Sequence, residues 1–429
     1  MKIKNIAIAT VISIALLLGS CSQPSYLDKK FQNKSKPEKT FTRKKNIISK
    51  SEILESREFK IHLPKRVGVM LPSNDSLTEI SAAIRDGIIS AWYESQDPKP
   101  KLFFYSSDQT EIKETLKLVE RDKIELLIGP IQKKLVQEIK NQLDPNIESL
   151  ALNSYQDDSE FVQSNRYQFS LSPEEESVQV AKISNIVGSR AMIIYEDNVI
   201  SKRIKEAFIK HWGKLDEMNV SEYLIEKNNK DISRLVKKAL LIDESLLRQR
   251  KLTQLLGQKV IFEPRRRRDI EVIILAVEQR HAAQILPQLR YFKADGIPIF
   301  STSHSYIPFS DSDEVRDLDG LIFTDANWFT SKASKEFQLK FKKINHPAFK
   351  YPRLFAFGRD AFKIVPFLKK LKQSSFMQVP GATGNLWSDN RGVIHRELSW
   401  FTIKRGRLYS ADGLLQTYFR DRPTRTFSQ

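Results

Sequence analysis

The sequence predicts an α/β protein of two lobes, each built on a doubly wound parallel sheet and joined by interlobe crossovers. Three observations lead there. From Arg66 onward, short β-branched runs alternate with amphipathic helical stretches, the rhythm of strand–helix–strand units with right-handed crossovers. The rhythm restarts after Pro173, so two sheets are implied rather than one large one. The run Glu271-Val272-Ile273-Ile274-Leu275-Ala276-Val277 is almost continuously apolar and too short to prefer a helix, the pattern of a strand buried on both faces.

Before that rhythm begins, Lys2 and Lys4 precede an apolar stretch over 6–18, followed by Gly19, Ser20 and Cys21. A charged n-region ahead of an h-region too short to span a bilayer assigns residues 1–20 to a secretory signal. Leu18-Gly19-Ser20-Cys21 resembles a bacterial lipobox, in which small residues fit the signal peptidase and the thiol takes a diacylglyceryl chain. By the same resemblance, Ser22 rather than Asp after the cysteine points to the outer membrane. The competing reading is an ordinary cleaved signal with an incidental thiol. Cys21 is the only cysteine, so no intramolecular disulfide can form.

Residues 21–64 are Lys-rich, with few large apolar side chains and no sustained periodicity. They read as a lipidated, basic, flexible tether, with a short helix around 51–60. The whole chain carries a formal net charge of +18, which loss of residues 1–20 lowers by two lysines. Such an excess favours anionic partners: lipid headgroups, acidic protein surfaces or an anionic cell-wall polymer. Nucleic acid fits the charge too, but an exported lipoprotein rarely meets it.

The two-lobed domain is placed at 65–410. Val67-Gly68-Val69-Met70-Leu71-Pro72 is a strand ending in a polar turn, and Ser76 or Thr78 can cap a helix through Ala82, Ile84, Ile88 and Trp92. Strands follow over 102–105, 125–129, 149–152 and 167–171, separated by helices over 111–121 and 133–142. After Pro173 come helices over 174–187, 201–212 and 232–241 with strands over 191–195 and 222–225, then the strand over 271–277, a helix over 282–292 and a strand over 297–301. Beyond Ser303 a strand over 320–324 precedes helices over 334–343 and 354–371. Stretches 383–387 and 393–398 form a hairpin, with Asp389-Asn390-Arg391-Gly392 supplying the turn. Lobe 1 is assigned to about 65–172 and 303–375, lobe 2 to about 173–302 and 376–410, and 411–429 to a polar tail. No repeat at solenoid periods is present.

Enzyme motifs are missing from the sequence: there is no Gly-x-Ser-x-Gly elbow, phosphate-cradling glycine loop or Ser-x-x-Lys set. The six histidines show no i,i+4 pairing or ligand cluster, so neither a metal nor a cofactor is expected. Glu174, Glu175 and Glu176 start a helix, where carboxylates suit the dipole, and read as structural. Polar groups at strand ends face the gap between lobes in folds of this kind. Here they are Ser73, Asn74, Gln132, Asn153, Ser154, Tyr195, Glu196 and Asp325. They either hold a ligand or cap helices around an empty cleft. Arg265, Arg266, Arg267 and Arg268 form a basic ridge that either binds a partner or locks structure, since guanidinium forks hold carboxylates bidentately. His395, Arg396, Glu397 and Trp400 are placed on the second hairpin strand, and a buried Arg396 requires a carboxylate, with an interlobe ion pair the commoner explanation.

Two similar α/β lobes with three crossings resemble the type I periplasmic binding protein fold. More specific are Leu252-Thr253-Gln254-Leu255-Leu256-Gly257-Gln258-Lys259 with the following Phe262 to Glu271, and Pro380-Gly381-Ala382-Thr383-Gly384-Asn385-Leu386 with Ile394 to Trp400. Together with Leu127-Ile128-Gly129-Pro130, these resemble the LppC family over roughly 66–409. The resemblance implies an outer-membrane lipoprotein, facing the periplasm, that stimulates peptidoglycan transpeptidation by a bifunctional class A penicillin-binding protein. Peptidoglycan itself is a further implied partner. Many members carry an N-terminal helical-repeat domain; here a tether of about 45 residues stands before the first strand, able to reach ~150 Å when extended and averaging ~40 Å as a coil. The competing class is a solute-binding lipoprotein for an amino acid or cell-wall fragment.

Overall fold

In the computed structural model the described residues are 63–73, 76–108, 112–154, 165–213, 220–227, 231–259, 261–309, 313–342, 346–374 and 376–420. The signal, Cys21, most of the tether with its expected helix, and Asn74 lie outside them. The chain from Arg66 forms β1 (Arg66–Leu71), α1 (Thr78–Glu94), β2 (Lys101–Ser106), α2 (Ile112–Arg121), β3 (Leu126–Ile128), α3 (Lys133–Gln142), β4 (Glu148–Ala151) and β5 (Arg166–Phe169). After Phe169 it enters the second lobe with α4 (Pro173–Val187), β6 (Ala191–Glu196), α5 (Val199–Trp212), β7 (Val220–Ile225), α6 (Ile232–Ala239) and α7 (Ile242–Leu256). There follow β8 (Val272–Ala276), α8 (Gln279–Tyr291), β9 (Ile299–Ser301), α9 (Glu314–Asp317) and β10 (Leu321–Asp325). The remainder is α10 (Lys332–Phe341), α11 (Pro347–Lys350), α12 (Pro352–Lys363), α13 (Leu368–Gln373), β11 (Val379–Pro380), β12 (Asn385–Ser388), β13 (Val393–Glu397), β14 (Ser399–Lys404), β15 (Arg407–Ser410) and α14 (Asp412–Arg420).

Two sheets organise these elements, ordered β11-β12-β13-β5-β4-β3-β1-β2 and β15-β14-β10-β9-β8-β6-β7. The strand over 271–277 is the interior strand expected: β8 is buried along its whole length. Ile273 and Leu275 face one core with Ala282 and Leu286, while Val272, Ile274 and Ala276 face another with Val180, Phe208 and Trp212. Alternation along a strand thus fills both layers with one apolar run. In the first sheet Val67, Val69 and Leu71 face α1 and α12, whereas Met70 packs over α2 and α3.

Four strands depart from the expected lobe boundaries. β10 pairs in parallel with β9, so it belongs to the second sheet rather than to lobe 1. The hairpin β12–β13 adds to β5 and β11 pairs with β12, so all three belong to the first sheet rather than to lobe 2. The chain still crosses three times, after β5, after β10 and after β13. The last crossing takes a single residue, Leu398, so Trp400 lies on β14 in the other sheet and not on the hairpin strand. Local alternation identifies a strand but does not say which sheet completes its hydrogen bonds. The expected polar tail is corrected as well: α14 seats Leu415 in the core beside Val180, after Ala411 enters it.

Helices α1 and α12 cross at contact distance because each contributes a glycine. A Cβ on Gly87 would lie 2.1 Å from the Phe355 carbonyl oxygen, and one on Gly358 2.1 Å from that of Ile84. This crossing fixes α12 to the first lobe while its first turn faces the second.

Candidate functional site

The residues brought together by the three crossings form a charged hinge between the lobes. α4 begins there with Ser172 as N-cap, its hydroxyl accepting from the Glu175 N–H (3.3 Å), and Pro173 in the first turn. The three glutamates that follow diverge around the helix. Glu174 meets the Arg203 guanidinium (2.5 and 2.9 Å) within its own lobe. Glu175 and Glu176 reach across to β13. The dipole reading of these residues was therefore incomplete, because two of them are interlobe contacts.

Arg396 is buried and its Nη2 lies 3.2 Å from Glu176 Oε1, the carboxylate partner its burial required. Glu176 Oε2 also accepts from the Ser303 N–H (3.2 Å) and hydroxyl (2.7 Å). Ser303 in turn accepts, through its carbonyl, from Arg353 Nη2 (3.0 Å), and Arg353 grips Asp325 bidentately at 2.9 and 2.6 Å. Burial pushes the Asp325 carboxyl up, and the Arg353 fork opposes it. Two ion pairs of zero net charge thus share one serine. Gln179 of α4 straps the single-residue crossing: it donates to the Arg396 carbonyl (2.9 Å) and accepts from the Leu398 N–H (3.0 Å).

His395 is stacked on Trp387 at 4.3 Å and lies between two carboxylates, with Nδ1 2.7 Å from Glu175 and Nε2 3.6 Å from Asp389. Burial alone would lower its pKa, but its hydrogen bonds to Asp389 and Glu175 outweigh that and raise it to about 9. The ring is a cation at neutral pH. Beneath it the Pro380–Leu386 stretch is pinned by Asp360 of α12, which accepts from the Ala382 N–H (2.6 Å), the Thr383 N–H (2.7 Å) and the Thr383 hydroxyl (2.6 Å). Burial pushes the Asp360 carboxyl up while those donors pull it down.

The other cleft positions separate into two groups. At the ends of the first-lobe strands, Ser73 hydrogen-bonds Asp108 (2.5 Å) and Ser106 (3.0 Å), Gln132 accepts from Ser107 (3.4 Å), and Asn153 donates to the Ile131 carbonyl (2.7 Å) and accepts from the Ser154 N–H (2.8 Å). In the second lobe Tyr195 lies under the Lys205 ammonium. Glu196 accepts from the Glu278 N–H, from Asn198, and meets His281 Nδ1, each at 2.7 Å. Glu196 therefore caps α8. Folding also brings Glu278 and His304 to it, their ligand atoms within 4.8 Å of one another, a cluster that no spacing in the sequence announces. Since one Glu196 oxygen is taken by the start of α8 and the other by Asn198, the cluster is accounted for structurally. The hinge encloses a cavity of about 220 Å³ lined by Glu176, Asp325, Arg353, Thr383, Arg396 and His304.

The arginine ridge lies elsewhere, ahead of β8. Arg267 is turned inward, bidentate to Asp269 (2.7 and 2.5 Å) and 3.2 Å from the Tyr223 hydroxyl, while its N–H donates to the Leu240 carbonyl (2.9 Å). Arg266 donates to the carbonyls of Lys293 (2.7 Å) and Arg267 (3.0 Å). The Arg265 and Arg268 side chains are exposed. α7, which the sequence reading did not identify, precedes this ridge and buries only Ile242 and Ser245.

A family model described as "LppC putative lipoprotein" matches residues 45–406, most of the chain. The chain belongs to the LppC family. Among curated relatives it is 27% identical over 380 residues to a Vibrio antiquarius protein named "Penicillin-binding protein activator LpoA", a match covering 84% of this chain and 60% of the relative. A Vibrio vulnificus protein of the same name is 26% identical, with 82% and 60% covered. This LppC-family chain thus spans about 60% of the length of the relatives it matches. Among solved structures it resembles the Haemophilus influenzae LpoA (YraM) C-domain, titled a regulator of PBP1A, at a TM-score of 0.61 and 18% identity, covering 80% of this chain and 99% of that one. A branched-chain amino acid ABC transporter protein from Chromobacterium violaceum follows at 0.57 and 20% identity, covering 79% and 99%. Both likenesses show the two-lobed periplasmic binding protein-like fold. Among the described residues no helix is long and apolar enough to cross a membrane.

Proposed function

We propose that this LppC-family chain is a lipid-anchored activator of a bifunctional class A penicillin-binding protein, held at the outer membrane through acylated Cys21 and performing no chemistry itself. The observation that carries the reading is the state of the hinge. Groups that a solute-binding protein would offer to a ligand are bonded to one another: Glu176 to Arg396, Asp325 to Arg353, Glu196 to His281. The cavity that the first two pairs line, about 220 Å³, falls below the ~300–1,000 Å³ of ordinary small-molecule sites. The activator names of the curated relatives support the same reading. Activation is then a coupling free energy: preferential binding to the active conformation of the synthase raises its population.

The test is titration of the purified chain against the periplasmic part of a class A penicillin-binding protein from the same organism, with peptide cross-linking measured in parallel. Saturable binding with faster cross-linking is expected. Absence of both, together with a thermal shift from an amino acid or a muropeptide, assigns the chain to the solute-binding class, with Ser73, Gln132, Asn153, Ser154 and Tyr195 as the ligand contacts.

A further inference from the structure

The second sheet has two ends, and the hinge uses only one. At the opposite end, where the chain enters β6, β8 and β9, lies an open groove of about 1210 Å³. Arg265, Arg266 and Arg268 line it together with Tyr291, Phe292 and Lys293. The chain builds it by running without helix or strand from Ile261 to β8, fastened where the Arg265 N–H donates to Ser245 Oγ (3.0 Å) and the Arg267 N–H to the Leu240 carbonyl.

The charges in this groove do not cancel. Its two carboxylates are already engaged, Glu263 with Lys293 and Glu271 with Arg190 and the Ser189 N–H. Among the described residues, Arg265, Arg266 and Arg268 have no carboxylate at ion-pair distance, and Arg266 spends its donors on neutral carbonyls. Beside them stands apolar surface the fold leaves uncovered. Tyr291 is 80% exposed and Ile261 fully, and Phe262 precedes Glu263 at the rim.

We infer that this groove is where the chain grips its synthase, by taking an acidic surface segment of that protein; the identity of the partner rests on the function proposed above. Guanidinium forks hold carboxylates bidentately, and Tyr and Arg are the residue types that dominate protein interfaces. The groove exceeds a small-molecule site in size, and an exposed tyrosine beside guanidiniums without carboxylate partners suits a protein surface rather than a wall fragment. Because it faces away from the hinge, docking there leaves the interlobe ion pairs intact.

The experiment compares the full chain with R265E/R268E and with Tyr291→Ala, each checked by circular dichroism, for binding to the immobilised periplasmic part of the synthase at low and high salt. R265E/R268E is expected to weaken binding at least ~30-fold and to flatten its salt dependence, and Tyr291→Ala to weaken it ~5-fold. Should the charge reversal fail to fold, Tyr291→Ala reads the same surface without it. Wild-type affinity in these variants overturns the groove while leaving the activator reading in place. Failure of the unaltered chain to bind overturns both. A loss confined to binding of phosphatidylglycerol vesicles makes the groove a lipid site and overturns the inference.

Discussion

Glu176 and Arg396, 220 residues apart in the chain, meet 3.2 Å from one another across the hinge, with only 9% and 4% of their side chains exposed. Neither charge has access to solvent sufficient to survive alone. Arg396→Ala is therefore expected to destabilise the protein by about 3 kcal/mol or more, since it strands a buried carboxylate. The double variant E176Q/R396M should lose less than the two single changes summed. Urea unfolding followed by tryptophan fluorescence measures both.

The His395 cation gives the hinge a pH dependence of definite sign. Its folded pKa of about 9 lies above the ordinary 6.5, so its stabilisation is full below the lower value and is lost as pH rises through the upper one. Stability should fall by at most about 3 kcal/mol between these limits. His395→Gln should remove that slope, as read from thermal unfolding across the window.

Asp360 is expected to be more costly to replace than its distance from the ion pairs implies. It takes three donors from the Ala382–Thr383 turn, and Asp360→Ala should cost about 3 kcal/mol by leaving them unsatisfied in the core. Hydrogen exchange at Ala382 and Thr383 should accelerate in that variant. Unchanged protection there would show that the turn is held by other contacts.

The α1–α12 crossing tolerates no added methyl group. Gly87→Ala and Gly358→Ala each drive a Cβ into a backbone carbonyl, and each should destabilise by about 2 kcal/mol or more. Equilibrium denaturation of the two variants tests this.

The arginine run should divide sharply. Arg267→Ala breaks the Asp269 fork and the Tyr223 contact and should cost about 2 kcal/mol, whereas Arg268→Ala should stay within about 0.5 kcal/mol. Equal losses in melting experiments would contradict the division.

Much of this was legible in the sequence where the signal is local. The doubly buried β8, the β12–β13 hairpin and the need of Arg396 for a carboxylate all follow from alternation, turn residues and the energetics of burying a charge. α7 was missed because Leu247, Leu252, Leu255 and Leu256 are exposed and leave no core periodicity to read. α14 was missed although Leu414, Leu415, Tyr418 and Phe419 recur at helical spacing, because the core they pack against is built by distant residues. The metal-like grouping of Glu196, Glu278 and His304 was invisible for the same reason.

By itself the sequence determined the family, the two-lobed α/β class and the chemical character of each segment, since side-chain periodicity and turn chemistry act over a few residues. Tertiary structure alone decided which sheet each late strand joins, that Glu175 and Glu176 face the other lobe, and that one of four consecutive arginines is structural while three line a groove. These outcomes depend on hydrogen bonds and charge pairs closed between residues far apart in the chain, whose partners no local pattern specifies.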